Sequence, residues 1–338
     1  MRQIVTTTNG GIDVLKIEEK PDLKPSPGEV LIRVQAAGLN FADILARQGL
    51  YPDAPKKPCV MGYEVSGIVE SLGDGVDQAL HGKAVVALTR FGGQSELVVV
   101  NSNQIFEKPD SLSFEQAAAI PVNYLTAYAL LAVMGSLQPG EAVLIHNAGG
   151  GVGLAALDIA KRLSAITYGT ASPGKHEFLR QRGLDHPIDY RNEDWLEVLK
   201  KLTDDRGVEL VIDPIGGGHW KKSYQALRST GRLGMFGISA ASADGFRGKL
   251  EMAKAAWQTP WFHPFGLLNK NKGVFGLNLG HMWHEREKVA DWMKTILDGV
   301  KEGWIRPHVD KSFPFDQVGA AHAYMEARKN IGKVVLVP

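Results

Sequence analysis

The 338-residue sequence contains a single cysteine, Cys59. An internal disulfide is therefore impossible, as is any zinc site built on several thiolates, and this usage suits a reducing compartment. An excess charge of one sign is also missing. Lys and Arg number 38 against 37 Asp and Glu, a formal net charge of +1. That balance offers no basic face for nucleic acid, whose affinity rests on neutralising phosphates. No apolar run approaches the roughly 18 residues of a membrane-spanning helix. The opening "MRQIVTTTNGG" lacks the apolar core of a secretory signal. What is present is a chain 44% hydrophobic and 22% charged, expected to be soluble and cytoplasmic. Its length calls for two domains rather than one core.

The first 120 residues read as short strands between turns. "EVLIRVQAAGLN", "EVSGIVESLGDGV", "KAVVAL" and "SELVVV" are strand-like, with "KPSPGEV" and "GDGV" as punctuation. This pattern predicts an antiparallel, barrel-like β domain. Near residue 123 it changes to strands alternating with helices, which implies right-handed crossovers and a doubly wound parallel sheet, an α/β fold. The C-terminal strand "KVVLVP" is too short to stand alone and is expected to return to the first domain. The expected division is 1–122 with 284–338 for the β domain, and 123–283 for the parallel-sheet domain.

"NAGGGVG" (147–153) follows a predicted strand and opens a helix, the setting in which a glycine fingerprint gains meaning. The series is Ala148-x-Gly150-x-x-Gly153, with Ala148 where the commonest form has its first glycine. Gly150 lets the backbone approach a pyrophosphate, and Gly153 lets the helix pack on the strand. The helix N-terminus adds free amides and partial positive charge. NAD sites carry an acid about 20 residues further on to hold the ribose hydroxyls. Here no Asp or Glu lies between Asp158 and Glu177; Gly169, Thr170, Ser172 and Lys175 stand there instead. Those residues suit an adenosine 2′-phosphate, so NADP(H) is the expected cofactor.

A zinc dehydrogenase of this architecture needs three protein ligands and an open position. In "PCVMGYEVSG" (58–67), Tyr63 occupies the place before Glu64 where a histidine ligand is needed, and no second cysteine exists. His81, His146, His186 and His219 show no paired ligand spacing and are expected to be packed or surface residues. His281 and His284, three apart, lie far along the chain. The expectation is no metal. Zinc makes simple alcohols and ketones reactive by polarising oxygen. Without it, hydride transfer favours acceptors that delocalise charge themselves, such as quinones, enals and enones, with hydrogen-bond donors at the oxygen.

These residues resemble the zinc-free branch of the medium-chain dehydrogenase/reductase superfamily, the quinone oxidoreductases, and within it the vesicle amine transport protein homologues. The resemblance spans the chain and rests on "AGLNFADILARQGLYP" (37–52), "AAAIPVNYLTAY" (117–128), "LIHNAGGGVGLAA", "GTASPGKHE", "HPIDYR", "DPIGG" and "KNIGKVVLVP". Asp158 departs from the glutamine usual in quinone oxidoreductases. The resemblance implies a GroES-like β-barrel catalytic domain, a Rossmann domain, and a homodimer formed by pairing sixth strands. It implies that Asn40 lies near the nicotinamide ribose, Thr126 near the nicotinamide ring, and Gly150, Gly151, Val152 and Gly153 at the pyrophosphate. Gly169, Thr170, Ser172 and Lys175 would hold the 2′-phosphate, with Tyr190 against the adenine or its phosphate. Gly237 and the strand "FGLNLG" (275–280), with Leu277 and Asn278, would line the nicotinamide end, and Lys333 would enter the cleft from the C-terminal tail. Tyr51, in "QGLYP", matches the tyrosine that related enoyl thioester reductases place near substrate. Asn40 and Tyr51 are thus the expected catalytic residues, Tyr51 donating a hydrogen bond to a quinone or enone oxygen.

Residues 246–272, "FRGKLEMAKAAWQTPWFHPFGLLNKNK", exceed what a minimal enzyme needs. Trp257, Trp261, Phe262, Phe265, Leu267 and Leu268 mix with Arg247, Lys249, Lys254, Lys270 and Lys272 against one acid, Glu251. Such a segment can cap an apolar pocket, join a subunit interface or rest on a membrane. Pro260 and Pro264 interrupt any single amphipathic helix, so packing against the cleft is the expected outcome. The rival to an enzyme is an NADPH-binding, membrane-associated accessory protein with little turnover.

Overall fold

A computed structural model describes residues 1–239 and 245–338 of the chain. One half is built on the strand Glu29–Leu39. It pairs antiparallel with Glu64–Leu72, Leu97–Asn101 and Lys333–Val337. Ala84–Leu88, Ile105–Glu107 and Val309–Pro314 extend this seven-stranded sheet. A smaller sheet of Leu15–Glu19, Arg2–Thr6 and Cys59–Val60 lies beside it. The C-terminal strand therefore joins the first half of the chain, as its length suggests.

The other half is a six-stranded, all-parallel sheet. Its spatial order is His186–Asp189, Ile166–Ala171, Ala142–Ile145, Val208–Asp213, Leu227–Met235 and Gly273–Gly276. In sequence terms that order is 3-2-1-4-5-6, the doubly wound arrangement. Alternation along single strands explains its two buried faces. Val143, Ile145, Leu210 and Ile212 enter one core, with helices Pro121–Tyr128, Gly151–Arg162 and Arg286–Lys301. Leu144 and Val211 point into the other, against helices Trp195–Leu202 and Gly218–Gln225.

Ala142–Ile145 and Val208–Asp213 are neighbours although two strands lie between them in sequence. Chain crossovers leave in opposite directions there, opening a crevice at the strands' carboxyl ends. The two halves are stitched beside it: the Gly332 amide, next to the last strand, donates to the Gly149 carbonyl at 2.8 Å.

Two expectations change at the far edge. The sixth strand covers only Gly273–Gly276 rather than 275–280, because Asn278 Oδ1 accepts the Gly280 amide at 3.0 Å and turns the chain. Residues 245–272 form two helices, Gly245–Gln258 and Pro264–Lys270, separated where the prolines fall. They do not bury their aromatics as expected: Trp257 is 85% exposed and Trp261 98%, with Phe265 and Leu268 also exposed. Of Trp257, Trp261, Phe262 and Phe265, Phe262 packs inward, on Tyr224. The side chains of Arg247 and Lys249 lie outside the described part of the structure. Among the described residues no helix is long and apolar enough to cross a membrane.

Candidate active site

A cavity of about 1160 Å³ occupies the crevice and is lined from both halves. Behind the wall formed by Asn40 and Lys333 is a buried ion pair. Glu64, at the start of its strand, is fully buried, and Lys333 on the last strand is 3% exposed. Lys333 Nζ donates to Glu64 Oε1 and, at 2.7 Å, to Asn40 Oδ1. Asn40 Nδ2 in turn donates to Glu64 Oε1 at 2.9 Å. The second carboxylate oxygen accepts the Val122 amide at 2.7 Å, at the N-terminus of the helix Pro121–Tyr128 that carries Thr126. One carboxylate thus fixes three elements and places a negative charge at a helix N-terminus.

Beyond it stands a pair of phenols. The Tyr51 and Tyr63 rings meet edge to face, centroids 6.2 Å apart, and Phe91 braces Tyr63 from its other side at 5.3 Å. Their hydroxyls are close enough for each to shift the other's ionisation, but no well-formed hydrogen bond reaches the buried Tyr63 hydroxyl among the described residues. Leaving such a group unpaired costs about 1–3 kcal/mol. Burial, then the charge of Asp53, pushes the Tyr51 phenol up; burial, then Asp43, raises Tyr63 further. Asp43 is itself raised from 3.8 to about 7 by burial, although it accepts the amides of Asn40 at 2.8 Å and Gly62 at 3.1 Å.

At the opposite end, the glycine turn has the tightness its sequence suggests. A Cβ on Gly151 would lie 2.5 Å from Asn123 Nδ2, and one on Gly153 2.5 Å from the Asn147 and Ala148 carbonyl oxygens. Gly150, Gly151, Val152 and Gly153 all line the cavity, as do Thr170, Ser172, Lys175 and Tyr190. Thr126, Gly237, Leu277 and Asn278 line it as well. Gly169 does not. It sits within its strand, where a Cβ would meet Ala148 at 2.8 Å and Leu184 at 2.9 Å, so its smallness serves packing. The Thr170 hydroxyl is also engaged internally, accepting the Asn147 amide at 3.3 Å and lying 3.0 Å from His146 Nδ1. Lys175 Nζ donates to the carbonyls of Arg328, at 3.1 Å, and Asn330. Burial lowers the pKa of Lys175, and the charges of Arg191 and Arg328 add to this. These two arginines are cations the sequence reading did not identify.

A second cluster was also not legible. His146 follows the first parallel strand and Asp213 ends the fourth, and the sheet order brings them together with His219 and Ser223. Ser223 Oγ donates to Asp213 Oδ2 at 2.6 Å, and His146 Nε2 lies 3.1 Å from the same hydroxyl. His219 Nδ1 lies 2.6 Å from Asp213 Oδ2. The network assigns His146 a neutral ring with its proton on Nε2, in accord with burial lowering its pKa to about 3. Burial pushes the Asp213 carboxyl up, but its bond to His219 and the nearby rings bring it below its ordinary value. His146, Asp213 and His219 offer metal-ligating atoms within 4.8 Å of one another. His146 Nε2, Asp213 Oδ2 and His219 Nδ1 each have a hydrogen-bonding partner in the network.

The donor set near Cys59 does not fit zinc. Cys59 Sγ meets the Pro55 carbonyl and Met61 Sδ, both at 3.8 Å, and burial raises its thiol pKa. Glu64 is held by Lys333, and Tyr63 presents a phenol held neutral. His281 pairs with Asp53 at 2.7 Å.

Comparison with known proteins agrees with this architecture. Residues 26–110 match the alcohol dehydrogenase GroES-like domain, and residues 182–336 the family described as zinc-binding dehydrogenase. The chain is 40% identical to the synaptic vesicle membrane protein VAT-1 homolog of Homo sapiens over 341 residues, covering 100% of this chain and 86% of that protein. It is 32% identical to a 2-haloacrylate reductase of Burkholderia sp, covering 97% and 96% respectively. The Escherichia coli quinone oxidoreductase complexed with NADPH superposes with a TM-score of 0.88 at 30% identity, covering all of both chains. The chain belongs to the medium-chain dehydrogenase/reductase superfamily of oxidoreductases, alongside the VAT-1 homologues and the quinone oxidoreductases.

Proposed function

We propose that the protein is an NADPH-dependent, zinc-independent reductase of quinones or α,β-unsaturated carbonyls. The observation that carries this reading is the phenol pair, in a cavity headed by a glycine turn. When bound, NADPH supplies the hydride. Ser172, Lys175 and Tyr190, with Arg191 and Arg328 nearby, hold the 2′-phosphate, and the Gly150–Gly153 turn cradles the pyrophosphate. Asn40, Thr126, Gly237, Leu277 and Asn278 shape the nicotinamide end. Lys333 acts there through Asn40. Tyr51 donates a hydrogen bond to the acceptor oxygen as charge develops on it. A phenol held above its ordinary pKa stays protonated at neutral pH, so reduction is the favoured direction. We further propose a cytoplasmic homodimer joined at the edge strand Gly273–Gly276.

The test is NADPH consumption across quinones, enals and enones, with Tyr51→Phe alongside. Turnover on at least one class, reduced in the variant, is expected; Tyr51→Phe matching wild type on every acceptor removes the role assigned to Tyr51. A second reading, an NADPH-binding accessory protein of membranes, is favoured by one observation: Trp257, Trp261, Phe265 and Leu268 are exposed beside Lys254 and Lys270. Tight NADPH binding without turnover, together with co-sedimentation on anionic liposomes, would favour it.

A further inference from the structure

Folding alone does not explain the Tyr63 hydroxyl. The residue's backbone carbonyl accepts the Thr89 amide at 2.8 Å, and its ring is held between Tyr51 and Phe91. A phenylalanine would satisfy both contacts. The hydroxyl adds only a polar group that is buried, lines the cavity and has no well-formed hydrogen bond of its own. It faces the Tyr51 hydroxyl, also on the cavity wall. A buried hydroxyl with no well-formed partner, beside a second phenol on the cavity wall, suits an incoming oxygen.

We propose that Tyr63 is a second hydrogen-bond donor in the reaction, its hydroxyl and that of Tyr51 converging on one carbonyl oxygen of a neutral conjugated aldehyde or ketone. This rests on the reductase reading and narrows it. One hydrogen with two electrons arrives at the β-carbon from the reduced nicotinamide. The C=C electrons shift to make a Cα=C bond, and the carbonyl pair moves onto oxygen. Both phenols donate to that oxygen while keeping their protons. A proton from water then reaches Cα, restoring the carbonyl and leaving a saturated product. Donors positioned before charge develops need no reorganisation as it appears.

Asp53 sets the charge preference. Its carboxylate lines the same cavity as both phenols, so it imposes a negative potential where the oxygen sits. An acceptor that is already an anion, such as a 2-haloacrylate, would gather a second charge there. A neutral enal or enone would not, and is the class this pair selects.

The experiment uses 4-dimethylaminocinnamaldehyde, a neutral enal whose absorption moves to the red when its carbonyl oxygen accepts hydrogen bonds. Bound to the wild-type protein with NADP⁺, which cannot deliver hydride, it is expected to show a red shift. Tyr63→Phe and Tyr51→Phe should each reduce the shift, and the double variant should abolish it. Turnover of 3-buten-2-one with NADPH should fall about 100-fold in kcat/KM for Tyr63→Phe. Thermal denaturation should show that variant no less stable than wild type, since no well-formed hydrogen bond is lost. A Tyr63→Phe protein with the wild-type shift overturns the proposal, even if turnover persists. So does a wild-type protein that binds the aldehyde without a shift or fails to bind it. A shift that depends on Tyr63, with no turnover of any acceptor, upholds the donor role and overturns the reductase reading instead.

Discussion

Lys333 donates to Asn40 across 293 residues of sequence, Nζ to Oδ1 at 2.7 Å, in the wall between the two halves of the molecule. The same ammonium neutralises Glu64, which is fully buried. A residue expected to meet the cofactor therefore acts first on the residue beside it, holding the Asn40 amide in one orientation.

Replacing Lys333 with methionine keeps most of the aliphatic stem and removes the charge. Glu64 is left as an uncompensated buried carboxylate, at a cost of about 3–5 kcal/mol. Calorimetry is expected to show a clear drop in Tm for Lys333→Met. The double variant Lys333→Met/Glu64→Gln should recover part of it, because the stranded charge is gone. Single-variant losses that simply add in the double would mean the two groups are not coupled.

On the proposed reading, Lys175 governs the choice between NADPH and NADH. In the free protein its ammonium rests on the Arg328 and Asn330 carbonyls, so a 2′-phosphate draws it from neutral acceptors to a charged one. A charge-assisted hydrogen bond of this kind contributes about 1.5–3 kcal/mol, or about 10- to 100-fold in affinity. Lys175→Ala should weaken NADPH binding by that factor and leave NADH unchanged in fluorescence titrations. Equal weakening of both would place Lys175 away from the 2′-phosphate. Arg191 and Arg328 should preserve some residual preference for NADPH.

Much of the nucleotide half was legible because its signals are local. "AVLI" and "VELVID" are apolar runs of strand length, and the glycine turn follows the first at a fixed offset. Lys175 follows the second strand closely enough to be assigned by position. What could not be read depends on non-adjacent chain segments. His146 and Ser223 are 77 residues apart and meet only because the first and fourth strands are neighbours. Tyr63 approaches Tyr51 through the turn that Asp43 fixes at Gly62, a carboxylate with nothing in its sequence to mark it as buried. The aromatic segment misled in the other direction. Its composition suggests burial, yet the break after Gln258 leaves Trp257 and Trp261 turned outward.

Asp43 gives the site a pH dependence with a definite sign. Its pKa in the folded protein is about 7 against 3.8 for an ordinary carboxyl. Between those values the folded state binds a proton that the unfolded chain has released, so this group's contribution to stability falls as pH rises from about 4 through about 7, then levels off. In full the shift corresponds to about 4 kcal/mol. Asp43→Asn removes the titration. The difference in Tm, wild type minus Asp43→Asn, should therefore shrink between pH 5 and pH 8. A constant difference over that range would show that Asp43 is ionised throughout.

Asp158 stands where quinone oxidoreductases usually have glutamine, and its surroundings explain why a charge is tolerated. Its carboxylate accepts the Tyr124 hydroxyl at 2.8 Å, the Arg306 amide at 2.9 Å and Arg182 Nη2 at 3.0 Å. Burial pushes the carboxyl up, with Arg182 acting against it. Asp158→Ala strands the guanidinium of Arg182 and the buried Tyr124 hydroxyl together, a loss expected at about 3–5 kcal/mol. Asp158→Asn keeps an acceptor for Tyr124 and should cost less. Asp158 does not line the cavity, so the folded variants should bind NADPH within about twofold of wild type, below the tenfold that 1.4 kcal/mol represents. A stable Asp158→Ala protein that loses NADPH binding would mean that the helix Gly151–Arg162 transmits the change from its middle to the glycine turn at its head.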